Sequence, residues 1–123
     1  MRIIAISNNK GGVGKTTSTV NIAAALQIKG KKVLIIDLDP QANATYALLG
    51  VQEPGPTVYH ALIGKQSITD VLRPSGQDGL DVLPADIDLA GAEVDLLTAI
   101  GGQTRLRAKL SQANLPHDYA VID

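Results

Sequence analysis

The sequence predicts an α/β fold, a mostly parallel sheet flanked by helices. At the start, the apolar run Ile3-Ile4-Ala5-Ile6 reads as a buried strand, a glycine-rich stretch follows it, and an Ala-rich helical pattern comes next. Lys32 to Asp37 is apolar from Val33 to Ile36 and closes on an acid, as strands covered on both faces of a parallel sheet do. Tyr119-Ala120-Val121-Ile122-Asp123 repeats that form at the other end.

The stretch between the first strand and the first helix carries the chemistry. It reads Ser7-Asn8-Asn9-Lys10-Gly11-Gly12-Val13-Gly14-Lys15-Thr16-Thr17. Strand, glycine loop, Lys-Thr and helix in that order are the sequence form of a phosphate-binding P-loop, so the fold expected is that of a P-loop NTPase. Gly11, Gly12 and Gly14 lack a Cβ, which lets the backbone take positive φ and turn its N–H groups around phosphate oxygens. Lys15 opens the helix within reach of the terminal phosphates, and the Thr16 hydroxyl is placed to ligate Mg²⁺. The helix N-terminus adds partial positive charge there. The general G-x-x-x-x-G-K-[ST] spacing asks for Gly at position 9, where this chain has Asn9, a residue that tolerates the left-handed region. A plain glycine turn accounts for the glycines but not for Gly-Lys-Thr-Thr in register at a helix start.

Here the chain resembles the ParA/MinD group of P-loop ATPases. Lys10 to Thr17 is similar to that group's deviant Walker A box, defined by an extra lysine before the glycines, and Asn9 points within the group to the ParA/Soj partition ATPases. The resemblance implies that Asn9, Lys10, Gly11, Gly12, Val13, Gly14, Lys15, Thr16 and Thr17 bind ATP. It also implies that Lys10 reaches across a nucleotide-sandwich dimer to the partner's phosphates.

Composition narrows the classes. The 123 residues are one domain's worth of chain, with 45% apolar residues and a formal net charge of -1, so the segment as a whole is no polyanion binder. Three Tyr and no Phe or Trp argue against base stacking as a recognition mode. The absence of Cys excludes a disulfide scaffold and Cys-ligated zinc or iron–sulfur within these residues, and fits a reducing cytosol. The N-terminal strand is no signal peptide and no apolar run is long enough to span a membrane, so a cytoplasmic protein is expected.

Thr16 to Lys29 reads as a helix with most of its circumference apolar, hence well buried, and Gly30 follows as its C′ residue. Lys29, Lys31 and Lys32 suit either the helix's negative end or a DNA phosphate. The second strand then ends in Asp37-Leu38-Asp39-Pro40-Gln41. A βαβ connection brings that segment out beside the P-loop, at the sheet edge where open α/β sheets bind ligands. Two carboxylates at alternate positions near phosphates have two separable jobs, holding Mg²⁺ through its water shell and orienting or deprotonating the attacking water. The resemblance gives the first to Asp37 and the second to Asp39; otherwise Asp39-Pro40 simply starts a turn. Ala42-Asn43-Ala44-Thr45 resembles the family's Gly-Asn-Ala-Thr, with Ala42 in place of Gly.

Ala44 to Leu49 is a short helix stopped by Gly50, Pro54-Gly55-Pro56 is a break, and Thr57 caps a helix that runs through Ile63 to Gly64. His60 in that helix reads as packing or surface. Arg73-Pro74-Ser75-Gly76 is a turn, and the alternating Leu80-Asp81-Val82-Leu83 is a third strand nearer an edge. Asp86 or Asp88 caps a helix through Leu89, Ala92, Leu96 and Leu97, in a stretch similar to Soj-type proteins. After the Gly101-Gly102 break, Thr104 caps a last helix to Ala113, whose Arg105, Arg107 and Lys109 form a solvated face. The final strand looks like a Walker B strand, in which Asp123 holds the Mg²⁺ water shell opposite Thr16; the plain alternative is an ordinary strand-end Asp.

The family normally continues for about as many residues again. Residues 1–123 are therefore expected to be the N-terminal part of a single P-loop ATPase domain, an incomplete one, with four strands and apolar surface at the open side. The resemblance implies an ATP-hydrolysing partition protein for chromosome or plasmid segregation, using ATP and Mg²⁺. It would dimerise with ATP, bind DNA nonspecifically through residues after Asp123, associate with the nucleoid and answer to a ParB-like activator. With the first strand at Arg2, no preceding helix-turn-helix is expected, as in the shorter kind of ParA. The alternatives are a MinD-like membrane-cycling regulator and a nucleotide switch without useful hydrolysis. An iron–sulfur reductase of the nitrogenase iron-protein type shares the Lys-Gly-Gly loop but needs cysteines that this chain lacks.

Overall fold

A computed structural model describes residues 1–6, 14–39, 41–50, 55–64, 66–85 and 102–123. Four parallel strands carry the fold: β1 (Arg2–Ala5), β2 (Val33–Ile36), β4 (Leu80–Leu83) and β5 (Tyr119–Ile122). A two-residue β3 (Arg73–Pro74) pairs antiparallel with β4, and the sheet runs β1-β5-β2-β4-β3. The helices are α1 (Lys15–Ile28), α2 (Asn43–Leu49), α3 (Val58–Leu62), α4 (Ile68–Val71) and α5 (Gly102–Ala113).

Strand alternation sorts the core into two layers. Leu34, Ile36, Leu83 and Ala120 face Val58, Ala61 and Leu62 of α3, Ile68 and Val71 of α4, and Leu110 of α5. Val33, Ile35, Leu80 and Val121 face Ala23 of α1 and Ala44 of α2. All four residues of β2 are fully buried, which explains a sequence with no polar alternation. Each such branched side chain contributes roughly 1.5–3 kcal/mol over its exposed state.

Several expectations need correction. Among the described residues β1 pairs only with β5, which puts it at the edge of the sheet, and Ile3 is 45% exposed. α1 is not well buried. Among the described residues its fully buried ones are Thr19 and Ala23, while Ile28 is 86% exposed, and its packing partners are β2, β5 and α2. Arg73-Pro74 is an edge strand and not merely a turn, and Pro74, which has no N–H, helps to end the sheet there. α5 begins at Gly102, so Thr104 lies in its first turn and is not the residue before it. Arg105 is not simply solvated, since its Nη1 donates to Leu62 O at 3.2 Å and satisfies the C-terminal end of α3.

Other local readings hold. Gly50, at φ 67°, ends α2 in the left-handed region. Thr57 precedes α3, where its N–H donates to His60 Nδ1 at 3.0 Å, so His60 is part of a helix start. Ser67 and Asp70 form the same reciprocal arrangement on α4, with Asp70 N donating to Ser67 Oγ at 3.2 Å. The helix expected around Leu89 to Leu97, with Asp86 and Asp88, lies outside the described residues.

Candidate nucleotide-binding site

The parallel strands β1, β5, β2 and β4 end at one edge of the sheet, and the N-terminus of α1 points to the same edge. Gly14, at φ 82°, turns the chain into α1, and its carbonyl accepts the first helical bond from Ser18 N at 2.9 Å. A side chain in that left-handed conformation would be strained, so the glycine before Lys15 has a backbone reason. Lys15 and Thr16 therefore stand on the first turn of a helix whose free N–H groups favour anions. Asn9, Lys10, Gly11, Gly12 and Val13 lie outside the described residues. Thr17 is exposed on α1.

The ladder continues past the strand ends. Asp123 N donates to Ile36 O at 2.9 Å, Leu38 N to Asp123 O at 3.1 Å and Asp37 N to Leu83 O at 3.1 Å. Alternation then turns the carboxyls of Asp37 and Asp123 to the face that carries α1 and α2. Thr16 Oγ1 donates to Asp123 Oδ2 at 2.9 Å. Thr19, one turn further and fully buried, sets its hydroxyl 3.0 Å from both Asp123 Oδ1 and Lys15 O. Asp39 Oδ2 is 3.5 Å from Lys15 Nζ, while Asp39 Oδ1 accepts from Gln41 N at 2.9 Å.

Asp37 is fully buried. Its Oδ2 accepts from Thr45 N at 2.9 Å and Thr45 Oγ1 at 2.7 Å, and its Oδ1 from Asp39 N at 3.1 Å. Burial pushes its carboxyl above the usual carboxylate range; the bonds from Thr45 and Asp39 pull the other way, and the nearby Asp123 charge adds to the rise.

These donors suit a hard cation at one remove. Thr16 gives its proton to Asp123 and keeps oxygen lone pairs for a ligand. Asp123 thereby orients the Thr16 hydroxyl from the side away from those lone pairs. Asp37 already accepts three bonds, which leaves it room for about one more donor, such as a cation-bound water. No cluster of three or more acidic, His or Cys side chains stands ready to bind a metal directly among the described residues.

Thr19 and Thr45 were not singled out as site residues in the sequence. Thr19 sits in the middle of an Ala-rich helix, and only the distant Asp123 gives it a role. In Thr19→Val, Asp123 Oδ1 loses a buried donor, so the chain is expected to lose about 1–3 kcal/mol, read as a lower urea midpoint; Thr19→Ser should restore most of it. A Thr19→Val midpoint equal to the parent's would show that this bond is dispensable.

Ala42 precedes α2 at φ 57°, fully buried in a conformation that a glycine adopts without strain. His117 is buried before β5, away from the strand ends, with Nε2 2.7 Å from Asp81 Oδ2. Lys29, Lys31 and Lys32 are exposed at that same far edge, before β2.

A positive-φ glycine, a lysine and a hydroxyl on the first turn of a helix, and acids at two adjacent strand ends define a phosphate-binding α/β domain of the P-loop NTPase class. Residues 1–123 match the AAA_31 family, an AAA domain, and the chain belongs to that family, with relatives of the ParA/Soj type. It is 44% identical to the sporulation initiation inhibitor protein Soj of Bacillus subtilis over 99% of its own length and 49% of Soj. Against the chromosome partitioning protein ParA of Caulobacter vibrioides the identity is 42%, over 100% of this chain and 47% of ParA. A cobyrinic acid a,c-diamide synthase from Mycobacterium smegmatis, solved with ADP and magnesium, superposes with a TM-score of 0.91 at 38% identity, over 100% of this chain and 50% of that one. The chain thus spans about half the length of the relatives it matches.

Proposed function

We propose that this chain supplies the nucleotide-binding half of an ATP-hydrolysing partition protein that uses Mg²⁺. The observation that carries the proposal is the meeting, at one sheet edge, of Lys15 with Asp39 and of Thr16 with Asp123. Residues Asn9 to Thr17 bind the triphosphate, with Lys15 on its terminal phosphates. Thr16 would hold the metal through its hydroxyl, which Asp123 orients, and Asp37 would accept from the water shell of that metal. A magnesium ion held there would supply positive charge against that of the phosphates. Asp39 orients the attacking water and takes its proton.

In the natural full-length chain, ATP closes a homodimer in which Lys10 contacts the partner's phosphates. The dimer binds DNA nonspecifically, and hydrolysis stimulated by a ParB-like protein releases it. This reading implies a cytoplasmic, nucleoid-associated protein. Among the described residues no helix is long and apolar enough to cross a membrane.

The test is sedimentation of the full-length protein with ATP and magnesium. The parent is expected to shift from monomer to dimer and to retain DNA only in that state. Lys10→Ala should bind nucleotide nearly as well yet remain monomeric. A Lys10→Ala sedimentation profile that matches the parent's with ATP would remove the trans role of Lys10, and a parent that never dimerises would remove the partition cycle.

A further inference from the structure

Three separate segments meet at Thr45, the third residue of α2, which is fully buried. Its N–H and its hydroxyl both donate to Asp37 Oδ2, at 2.9 and 2.7 Å. The same hydroxyl oxygen accepts from Ala85 N at 2.9 Å, two residues past β4. The direction of this relay is set by chemistry. Ala85 N–H can only donate and a carboxylate only accept, so the single hydroxyl proton belongs to Asp37.

The relay runs on toward the nucleotide edge. Asp37 Oδ1 takes the Asp39 N–H at 3.1 Å, and Asp39 O accepts from Ala42 N at 2.8 Å, closing a tight turn. With Asp39 Oδ1 held by Gln41 N, Oδ2 is the oxygen left for Lys15. On its other side the relay is anchored to the second helical layer, because Pro84 O accepts from Val58 N of α3 at 2.8 Å.

We propose that Thr45 is a positioning residue for hydrolysis: it locks the Asp37 carboxylate, through it aims Asp39 at the phosphate edge, and ties this turn to the chain leaving β4. The proposal rests on the reading of Asp39 as the water-orienting carboxylate. Thr45 acts on the site through Asp37, so its loss should slow turnover and spare binding. Small errors in the aim of a catalytic group are costly, of the order of a hundredfold for a misplacement near 1 Å.

The test compares Thr45→Val, which keeps the shape and loses the hydroxyl, with Thr45→Ser, which keeps the hydroxyl, in the full-length chain. Thr45→Val is expected to lower kcat at least about tenfold with ATP affinity nearly unchanged, and Thr45→Ser to return close to the parent. Amide hydrogen exchange at Asp39 and Ala85 should accelerate in Thr45→Val and not in Thr45→Ser. Parental turnover in Thr45→Val overturns the proposal, as do equal losses in both variants, a parallel fall of affinity and kcat, or unchanged exchange at Asp39. If Thr45→Val does not fold, Thr45→Cys, with a weak thiol donor of similar size, is judged by the same results. A parent without ATP turnover would instead refute the hydrolytic reading of Asp39, and the exchange comparison would still decide whether Thr45 positions that turn.

Discussion

Lys15→Ala is expected to abolish nucleotide binding, with a loss of roughly a hundred- to ten-thousandfold in affinity. Lys15 is the first residue of α1, and its ammonium is held at the strand-end edge, 3.5 Å from Asp39. Charge-assisted hydrogen bonds to phosphate are worth about 1.5–3 kcal/mol each, and an ammonium shared by two phosphates makes at least two of them. Two of them come to about 3–6 kcal/mol, which is the stated range of affinity. The main-chain N–H groups of the helix start survive the substitution, so the residual binding measures what the backbone alone supplies. Titration with a fluorescent ATP analogue reads the loss, and thermal unfolding of the same sample checks that the fold is intact. Retained affinity in a folded Lys15→Ala protein would remove the phosphate-binding assignment and, with it, the proposed function.

Asp39→Ala is expected to separate binding from hydrolysis. Removing a general base or water-orienting group costs about a hundred- to ten-thousandfold in rate. Binding should persist or tighten, since Asp39 is a neighbouring anion and competes with phosphate for Lys15. In the full-length protein the ATP-bound dimer should therefore accumulate, visible as a stable sedimentation shift with little phosphate release. The two substitutions thus have opposite signatures at two ends of one ion pair. Ordinary turnover in Asp39→Ala would move the water-orienting role to another carboxylate.

Much of the fold is written in local pattern. β2 reads as a buried parallel strand because all its residues are apolar, and it is buried throughout. Gly14 and Gly50 take the positive φ that turns at helix ends require. The acids at the ends of β2 and β5 were legible as candidates because an acid closing an apolar run is itself a local signal.

Burial and partnership are a different matter. Apolar residues around all of α1 suggested an enclosed helix, but enclosure depends on which elements pack against it, and among the described residues those are β2, β5 and α2, which leave Ile28 exposed. Nothing near Ile3 shows that β5, more than a hundred residues later, takes the place between β1 and β2 and leaves β1 at the edge.

On its own, then, the chain's order of residues determined the buried parallel strand β2, the glycine turns at Gly14 and Gly50 and the kinship with the ParA/Soj type, because each rests on short stretches of neighbouring residues. Only the tertiary structure decided that Thr19 and Thr16 share Asp123 and that Thr45 joins Asp37 to Ala85. The reason is geometric. A buried carboxylate must find donors wherever the packed layers bring them, and those donors stand 104, 107 and 8 residues away, with the relay's far end another 40 beyond Thr45.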